Sequence, residues 1–262
     1  MIEQPTTEEI QEIQNAVLDS AMAEIAQDDF KCFCEYVGRD EATEAKIRLS
    51  EIHNLMIDFV GYCISIDKFA MLEMPWEHGK SAIFSVLYPL WRVGRNQNLT
   101  IKLVSAAEAV VKIRVKQARD YIDGKHGGVY GRVFPHIKAD HKAGYSNFQI
   151  HVEREVSACP TIWAHSVLSS GEGPRCGLLI LDDCITRANS LSKDYNQVVI
   201  DAIEGTWQKR LHPDGMVIML NTPFSQKDAV AHITKSRLER FCILKVSVNK
   251  SLDGYNVEVI GD

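Results

Sequence analysis

The chain lacks the features that would tie it to a membrane or to an oxidising compartment. No apolar stretch in its 262 residues reaches the ~18 residues of a membrane span, and its first residues are too polar for a signal peptide. Its seven cysteines are odd in number and irregularly spaced, so they form no disulfide framework, and Cys32-x-Cys34 has no second pair at zinc-ligand spacing. These absences predict a soluble intracellular protein with reduced cysteines and no membrane partner.

Positive charge is also scarce. The 29 lysines and arginines are outnumbered by 35 acidic residues, which leaves a formal net charge of −6. This balance argues against a protein that coats nucleic acid through its overall charge, although it leaves room for a local basic surface. The chain is long enough to bury the core of one large α/β domain or of two small ones.

The order of the predicted elements indicates the fold class. A helix is predicted from Thr7 to about Asp28, where apolar residues recur at three- and four-residue steps, and Phe30 to Ile66 reads as mostly helical, including Glu44 to Cys63. From Phe69 onwards strands alternate with helices, which predicts an α/β fold with a mostly parallel sheet and helices on both faces. The predicted strands are Phe69–Leu72, Leu99–Val104, Phe148–Val152, Ile162–His165, Leu178–Leu181, Met216–Leu220 and Phe241–Val248; the later helices are Ala107–Ile122, Asp194–Leu211 and Gln226–Ser236; and the glycine-rich loops are Asp123–Gly131 and Ser169–Gly177.

The segment from Phe69 to Ser81 is the most informative stretch of the sequence. A short apolar strand enters a polar turn that closes on Gly79-Lys80-Ser81, and a helical pattern follows. This order predicts a phosphate-binding loop, in which backbone N–H groups face the phosphates of ATP, Lys80 reaches the β- and γ-phosphate oxygens, and Ser81 holds Mg²⁺. The loop departs from the G-x-x-x-x-G-K-[ST] pattern at its first glycine, where this chain has Met74. The residues predicted to contact the nucleotide are Pro75, Trp76, Glu77, His78, Gly79, Lys80 and Ser81.

Two later strands end in polar residues. One buried strand leads directly into Asp182 and Asp183, and ligands of open α/β sheets bind at the carboxyl ends of the strands. We therefore expect Asp182 to act on Mg²⁺ and Asp183 to orient and polarise the attacking water. A second buried strand ends in Asn221-Thr222, which would hydrogen-bond the γ-phosphate or the water and lose that bond after hydrolysis.

With these three segments in order, the chain resembles the ATPase domain of the large subunit of tailed-phage terminases, the DNA-packaging motors. The resemblance spans about Phe30 to Val248 and implies a P-loop NTPase fold of the ASCE/RecA-like class, which would hydrolyse ATP with Mg²⁺ to drive double-stranded DNA into a procapsid. It also implies contacts with the portal protein and the terminase small subunit, a homo-oligomeric ring on the procapsid, and a location in the host-cell cytoplasm. The segments that carry it are Met74 to Ser81, similar to the family's deviant Walker A motif; Tyr130 to Pro135; Gly173 to Arg175; Leu178 to Asp183, similar to a Walker B motif; and Asn221 to Pro223 with Asp228, similar to the coupling motif.

The resemblance also implies a division of the chain. Residues 1–66 would form an N-terminal helical segment on the adenine side, and His53 and Phe30 lie where such proteins clasp the base. Residues 67–250 would form the ATPase core, and 251–262 would begin a linker to a nuclease domain that this chain lacks. No nuclease activity is therefore expected from it.

Two positions depart from the family's pattern. Trp76 stands where many terminases carry an arginine inside the loop, and Asp183 stands where ring-type ATPases usually have glutamate. An arginine is valuable beside a reacting phosphate because its planar fork stabilises the developing charge. The resemblance suggests Arg175 as a finger that acts on the neighbouring subunit's nucleotide, with Arg132 and Arg154 as alternatives.

DNA contacts are harder to assign. The richest basic cluster spreads over more than one face of a predicted helix, so a solvated helix explains it equally well. Its members are Lys112, Arg114, Lys116 and Arg119, with Lys102 nearby.

Two other functions remain open at this stage. One is a different P-loop enzyme, such as a helicase-type ATPase or a small-molecule kinase. The other is a degenerate P-loop domain that binds DNA without catalysis, which the departures at Met74, Trp76 and Asp183 keep in consideration.

Overall fold

An eight-stranded sheet lies at the centre of the computed structural model, which describes residues 6–141, 149–154, 159–171, 173–224, 228–236, 239–249 and 254–261. The strand order is β3-β4-β2-β5-β6-β1-β7-β8. The strands from β4 to β7 in this order are parallel, and the edge strands β3 and β8 are antiparallel to their neighbours. The bounds are β1 Phe69–Glu73, β2 Ile101–Ser105, β3 Gln149–Ile150, β4 Ile162–Ser166, β5 Cys176–Asp182, β6 Leu211–Asn221, β7 Phe241–Asn249 and β8 Gly254–Ile260.

Helices cover both faces of this sheet, which confirms the α/β prediction. Along β5, Leu178 and Ile180 enter one hydrophobic cluster while Leu179 and Leu181 enter the other, so the strand needs apolar residues at every position. The first cluster includes residues of α1 to α6, and the second includes residues of α7 and α8. The helices are α1 Thr7–Asp28, α2 Phe30–Val37, α3 Glu51–Ser65, α4 Tyr88–Arg95, α5 Glu108–Ile122, α6 Val129–Val133, α7 Lys193–Ala202 and α8 Ala229–Ser236, with π-helical segments at Ala82–Leu87 and Ile203–Trp207.

Several predicted boundaries are wrong. Residues 44–50 are not helical, because α3 begins only after Ser50, whose backbone N–H donates to Nδ1 of His53 at 3.0 Å. The predicted helix 194–211 ends early, since a π-turn and a 3₁₀ turn follow α7 and Leu211 already belongs to β6. The predicted loop 123–131 contains the start of α6 at Val129. Residue 148 of the predicted strand 148–152 and residues 226–227 of the predicted helix 226–236 lie outside the described residues.

The N-terminal helix α1 leaves its apolar stripe largely uncovered. Thr6 caps the helix through a capping box with Glu9, so the helix starts at Thr7 as predicted. Ile13 and Val17 are 59% and 64% exposed, whereas the buried residues of the helix are alanines near its end. Among the described residues, no helix combines the length and the apolar character needed to cross a bilayer.

The end of the chain extends the sheet. The segment from Tyr255 to Ile260, part of the expected linker, belongs to β8 and pairs antiparallel with β7. All seven cysteines are free thiols.

Substitution of Gly94 tests the packing of α4 against the segment that follows α6. A Cβ atom at Gly94 would lie 2.2 Å from Cδ2 of Phe134, so we expect Gly94→Ala to lower the free energy of unfolding by roughly 1–3 kcal/mol. Gly61 in α3 is the matched control, because a Cβ atom there meets nothing within 4 Å and alanine should stabilise the helix by up to ~1 kcal/mol. Urea denaturation of both variants measures the difference. A gain in stability for both would contradict the contact between Gly94 and Phe134.

Candidate active site

Three neighbouring parallel strands bring the predicted site residues to one edge of the sheet. Strand β6 lies between β1 and β5, with Glu73 of β1 opposite Asn221 and Asp182 of β5 opposite Leu220. Since the carboxyl ends of parallel strands meet at one edge, the loop after β1 lies beside the acids after β5 and the polar residues after β6. The order of the strands therefore explains why segments far apart in sequence form one site.

Met74 occupies the position at which the loop pattern has its first glycine. Its backbone N–H donates to the carbonyl oxygen of Asn221 at 3.0 Å, and its side chain is fully buried. Met74 thus continues the pairing of β1 with β6 and contributes to the core. The loop proper begins only at Pro75, so a glycine at position 74 is not required by the backbone.

Gly79 is the position in the loop where glycine is required. Its φ of 71° lies in the left-handed region, and a Cβ atom there would lie 2.9 Å from Nε2 of His53 in α3. Glu77 also has a positive φ, 62°, without the freedom of glycine. Burial lowers the pKa of His53, and a hydrogen bond to the backbone of His78 opposes this effect. The loop is therefore held closely against the start of α3.

A helix begins at the end of the loop and orients its hydroxyl groups towards β5. The carbonyl oxygen of Gly79 accepts a hydrogen bond from the N–H of Ile83 at 3.0 Å, and the π-helical segment follows directly. Ser81 donates to Oδ1 of Asp182 at 2.9 Å, and Ser85 donates to Oδ2 at 2.8 Å. Both carboxylate oxygens of this buried acid are thus satisfied from one helix.

The surroundings of Asp182 raise the pKa of its carboxyl group. Burial raises the pKa of Asp182, and the charge of Asp183 raises it further, while the hydrogen bonds from Ser85 and Ser81 act in the opposite direction. A cation placed between Ser81 and Asp182 would relieve the cost of burying this charge.

Lys80 links the loop to the other two strands. Its side chain is almost fully buried, and Nζ donates to Oγ1 of Thr222 at 2.7 Å and lies 3.8 Å from Oδ2 of Asp183. The backbone N–H of Thr222 donates to Oδ1 of Asp183 at 2.9 Å. Asp183 itself has a φ of 44°, an uncommon conformation that is frequent at functional sites. Lys80, Thr222 and Asp183 therefore form one compact polar network.

Asn221 is a buried polar residue at the edge of the sheet that carries Lys80 and Asp183, and its side chain lacks a complete set of partners among the described residues. It is 1% exposed, and its Nδ2 has no hydrogen-bond partner within the described part of the chain. Leaving such a donor unsatisfied costs roughly 1–3 kcal/mol, and a ligand or a bound water commonly accounts for it.

The donor set at Ser81 and Asp182 fits Mg²⁺. Both supply oxygen atoms, and Mg²⁺ usually takes one or two carboxylates together with water and substrate phosphates. The residues described hold no group of three His, Cys, Asp or Glu side chains arranged to bind a metal. A metal at this edge would accordingly depend on phosphate oxygens for much of its coordination.

The structure does not bring Arg175 to this site. Arg175 immediately precedes β5, whereas Asp182 ends it, so the seven residues of the strand separate the two by about 20 Å. Arg175 is exposed at the opposite edge of the sheet. It meets a site of this kind only if the site belongs to another subunit.

The two alternative arginines are engaged elsewhere. Arg132 forms an ion pair with Asp19 at 2.9 Å. Arg154 donates to the carbonyl oxygens of Cys159 at 2.6 Å and Gln97 at 3.4 Å. Neither contact lies at the edge that carries Lys80.

The two residues expected near adenine differ in their surroundings. Phe30 is buried among aromatic rings, including Tyr88 at 5.1 Å and Trp91 at 5.2 Å between ring centroids, so it serves the core. His53 lies beside Gly79 of the loop, as described above, and remains a candidate.

The predicted basic cluster is largely neutralised. Lys102 is 2% exposed on the central strand β2, with Nζ above the rings of Trp163 and Trp207, so it is not a surface cation. The reason is that β2 is covered on both faces, which its sequence alone does not show. The other cations of the cluster are paired with acids or exposed: Lys112 with Glu108, Arg114 with Glu41, Arg119 with Asp123, and Lys116 exposed on α5.

One arginine near the site was missed by sequence reasoning. Arg187 follows Asp183 in the loop that leaves β5, and it lines a cavity of about 340 Å³ that is also lined by Pro75 and Trp76 of the loop after β1. The signal available in the sequence was its position shortly after the two acids. The cavity is lined by Pro75, Trp76, Arg187, Thr222, Pro223 and Phe224.

The likeness of this chain to known proteins is distant. No protein-family profile matches it, and no curated protein sequence matches it. Among solved structures, it is similar to a point mutant of the large terminase ATPase domain of Thermus phage P74-26, with a TM-score of 0.43 and 16% sequence identity over 68% of this chain and 71% of that one. A likeness this distant leaves the question of function to the side chains of this chain.

Neutralising Asp182 should stabilise the protein in the absence of nucleotide and metal. Because the pKa of Asp182 is raised above its ordinary 3.8, ionising this group costs folding free energy once the pH exceeds that value. We expect Asp182→Asn to unfold at a higher temperature than the wild type at alkaline pH, and the difference to shrink as the pH falls towards 3.8. Thermal unfolding across this pH range measures the effect, and Asp214→Asn on the exposed surface controls for net charge. A variant that is less stable than the wild type at alkaline pH would rule out this account of the buried charge.

Proposed function

We propose that this chain is the ATP-hydrolysing motor domain of a viral terminase large subunit, which drives double-stranded DNA into a procapsid. The observation that carries the ATPase part is the single polar network of Lys80, Thr222 and Asp183, with Ser81 on Asp182 beside it. These groups supply a phosphate-binding cation, oxygen ligands for Mg²⁺ and an acid that can orient water. The DNA-packaging part rests on the resemblance of the sequence motifs to those of the large subunit of tailed-phage terminases.

Each residue of the network has a role in this proposal. The backbone of Pro75 to Ser81 surrounds the β- and γ-phosphates, with Lys80 on their oxygens. Ser81 and Asp182 hold Mg²⁺, which when bound offsets negative charge on the phosphate oxygens. Lys80 bonds to Thr222 and lies near Asp183, so a phosphate that binds this lysine exchanges its partners.

That exchange prepares the hydrolytic step. Once Lys80 turns to the phosphates, Asp183 and the hydroxyl of Thr222 are free to bond a water molecule. The water oxygen forms a bond to the γ-phosphorus while the bond from that phosphorus to the bridging oxygen breaks, and its electron pair leaves on ADP. One proton of the water passes to solvent through Asp183, and the products are ADP and inorganic phosphate. Asn221, whose Nδ2 has no partner among the described residues, can then respond to the loss of the γ-phosphate.

The assembly is part of the same proposal. The portal protein and the terminase small subunit are the expected protein partners, and the working form is a ring on the procapsid in the host cytoplasm. Arg175 would act on the nucleotide of the neighbouring subunit, since its distance from Asp182 prevents action within its own chain. Residues 1–66 would flank the adenine, 67–250 would form the core, and 251–262 would lead towards a nuclease domain outside this chain.

Substitution of Lys80 tests whether the chain is an ATPase. We expect Lys80→Ala to lower the rate of phosphate release by about 100-fold or more, because the variant loses the cation on the β- and γ-phosphates. Lys116→Ala on the exposed surface of α5 is the matched control and should hydrolyse ATP like the wild type. Equal rates for Lys80→Ala and the wild type would defeat the enzymatic proposal. Nucleotide binding without hydrolysis in the wild type would favour a non-catalytic module.

DNA substrates separate a packaging motor from its rivals. Double-stranded DNA should stimulate phosphate release by the wild type, while a tailed duplex should remain paired, since a packaging motor moves along an intact duplex. Unwinding of the tailed duplex would favour a helicase-type ATPase.

Plasmid DNA incubated with Mg²⁺ or Mn²⁺ should remain uncut, and its cleavage would contradict the expectation that this chain has no nuclease activity.

A further inference from the structure

The candidate active site contains more negative than positive charge. The ammonium group of Lys80 lies 3.8 Å from the carboxylate of Asp183, the carboxylate of Asp182 accepts a hydrogen bond from the adjacent Ser81, and a triphosphate adds further negative charge. One divalent cation compensates only part of this charge. Hydrolysis of a phosphoanhydride needs a positive group at the γ-phosphate as charge spreads over its oxygens.

We infer that Arg187 supplies this positive group from the same chain and acts as a catalytic residue on the γ-phosphate; this inference rests on the proposed ATPase function. Arg187 lines the cavity described above, and Thr222 lines it as well. Oγ1 of Thr222 accepts the hydrogen bond from Lys80 at 2.7 Å, so the cavity adjoins the group that binds the phosphates. An extended arginine side chain has the length to cross such a cavity.

The loop that carries Arg187 is anchored while the side chain is not. Cys184 and Ile185 are buried beneath the loop, and the carbonyl oxygen of Arg187 accepts a hydrogen bond from Oγ of Ser190 at 3.0 Å. The guanidinium is exposed and forms no ion pair with any described residue. A fixed backbone with a free cation suits a group that binds only when substrate arrives.

Trp76 offers an aromatic surface on which the guanidinium of Arg187 can stack. The indole is 62% exposed and lines the same cavity as Arg187. Guanidinium groups stack favourably on indole rings, because the ring face is negative and the guanidinium is planar. Trp76 is thereby a positioning residue. The loop after β1 provides the aromatic surface, and the loop after β5 provides the positive charge.

Neither Arg175 nor Arg132 fills this role within one chain. Arg175 lies at the far end of β5, and Arg132 is paired with Asp19. Arg187 and Arg175 are not exclusive, since one would act on its own nucleotide and the other on that of a neighbour.

The test is the affinity for ADP with aluminium fluoride, a mimic of the phosphoryl group in transfer, compared with the affinity for ADP alone. We expect Arg187→Ala to weaken binding of the mimic by about tenfold or more while ADP affinity changes little, with Arg187→Lys in between. Arg240→Ala, at the start of β7 on the opposite edge of the sheet, removes the same charge as a control and should bind both ligands like the wild type. Trp76→Ala should weaken the mimic less than Arg187→Ala does.

Two results separate failure of this inference from failure of the proposed function. If the wild type binds the mimic no better than Lys80→Ala does, the ATPase proposal itself fails. If the wild type binds it well, Lys80→Ala does not, and Arg187→Ala matches the wild type, only the role of Arg187 is overturned. Mixing Arg187→Ala chains with Lys80→Ala chains should not restore phosphate release, and restoration would place the arginine in a neighbouring subunit's site.

Discussion

Asp182 carries a carboxylate into the interior of the molecule, where the hydroxyl groups of Ser81 and Ser85 take the place of water. An ionised group in such a place is costly unless it is paired and hydrogen-bonded, so the start of the helix after β1 must stay against the end of β5. This requirement fixes the distance between the loop and the acids. Lys80, adjacent to Ser81, is then held where it meets Thr222 and Asp183.

The position of β6 gives the site its internal connection. Because β6 lies between β1 and β5, its final residues touch both neighbours: the carbonyl of Asn221 bonds to Met74, and Thr222 bonds to Lys80 and Asp183. The strand whose end contacts Met74, Lys80 and Asp183 is therefore neither β1, which precedes the loop, nor β5, which ends in Asp182. A change in the bonds of Lys80 reaches β6 through a single hydroxyl group.

Much of this arrangement could be predicted from the sequence, because its signals are local. Buried strands appear as unbroken apolar runs, and polar residues at their ends must share an edge if the strands are parallel; Asp183 and Thr222 meet for this reason. The start of β6 at Leu211 was missed, since His212-Pro213-Asp214 lacks the apolar character of a strand. The burial of Lys102 and of Phe30 depends on elements distant in sequence, and so does the ion pair between Arg114 and Glu41. Arg187 was overlooked because a loop residue has no periodic pattern that would place it.

Arg175 and Asp182 stand at the two ends of a single strand, and this separation has a geometric consequence for any assembly that uses both. Contact between the front of one molecule and the back of the next is a head-to-tail interface, in which the two surfaces differ. Such interfaces repeat around a closed circle or along a filament. The direction in which β5 runs would then set the polarity of the order in which neighbouring molecules follow one another.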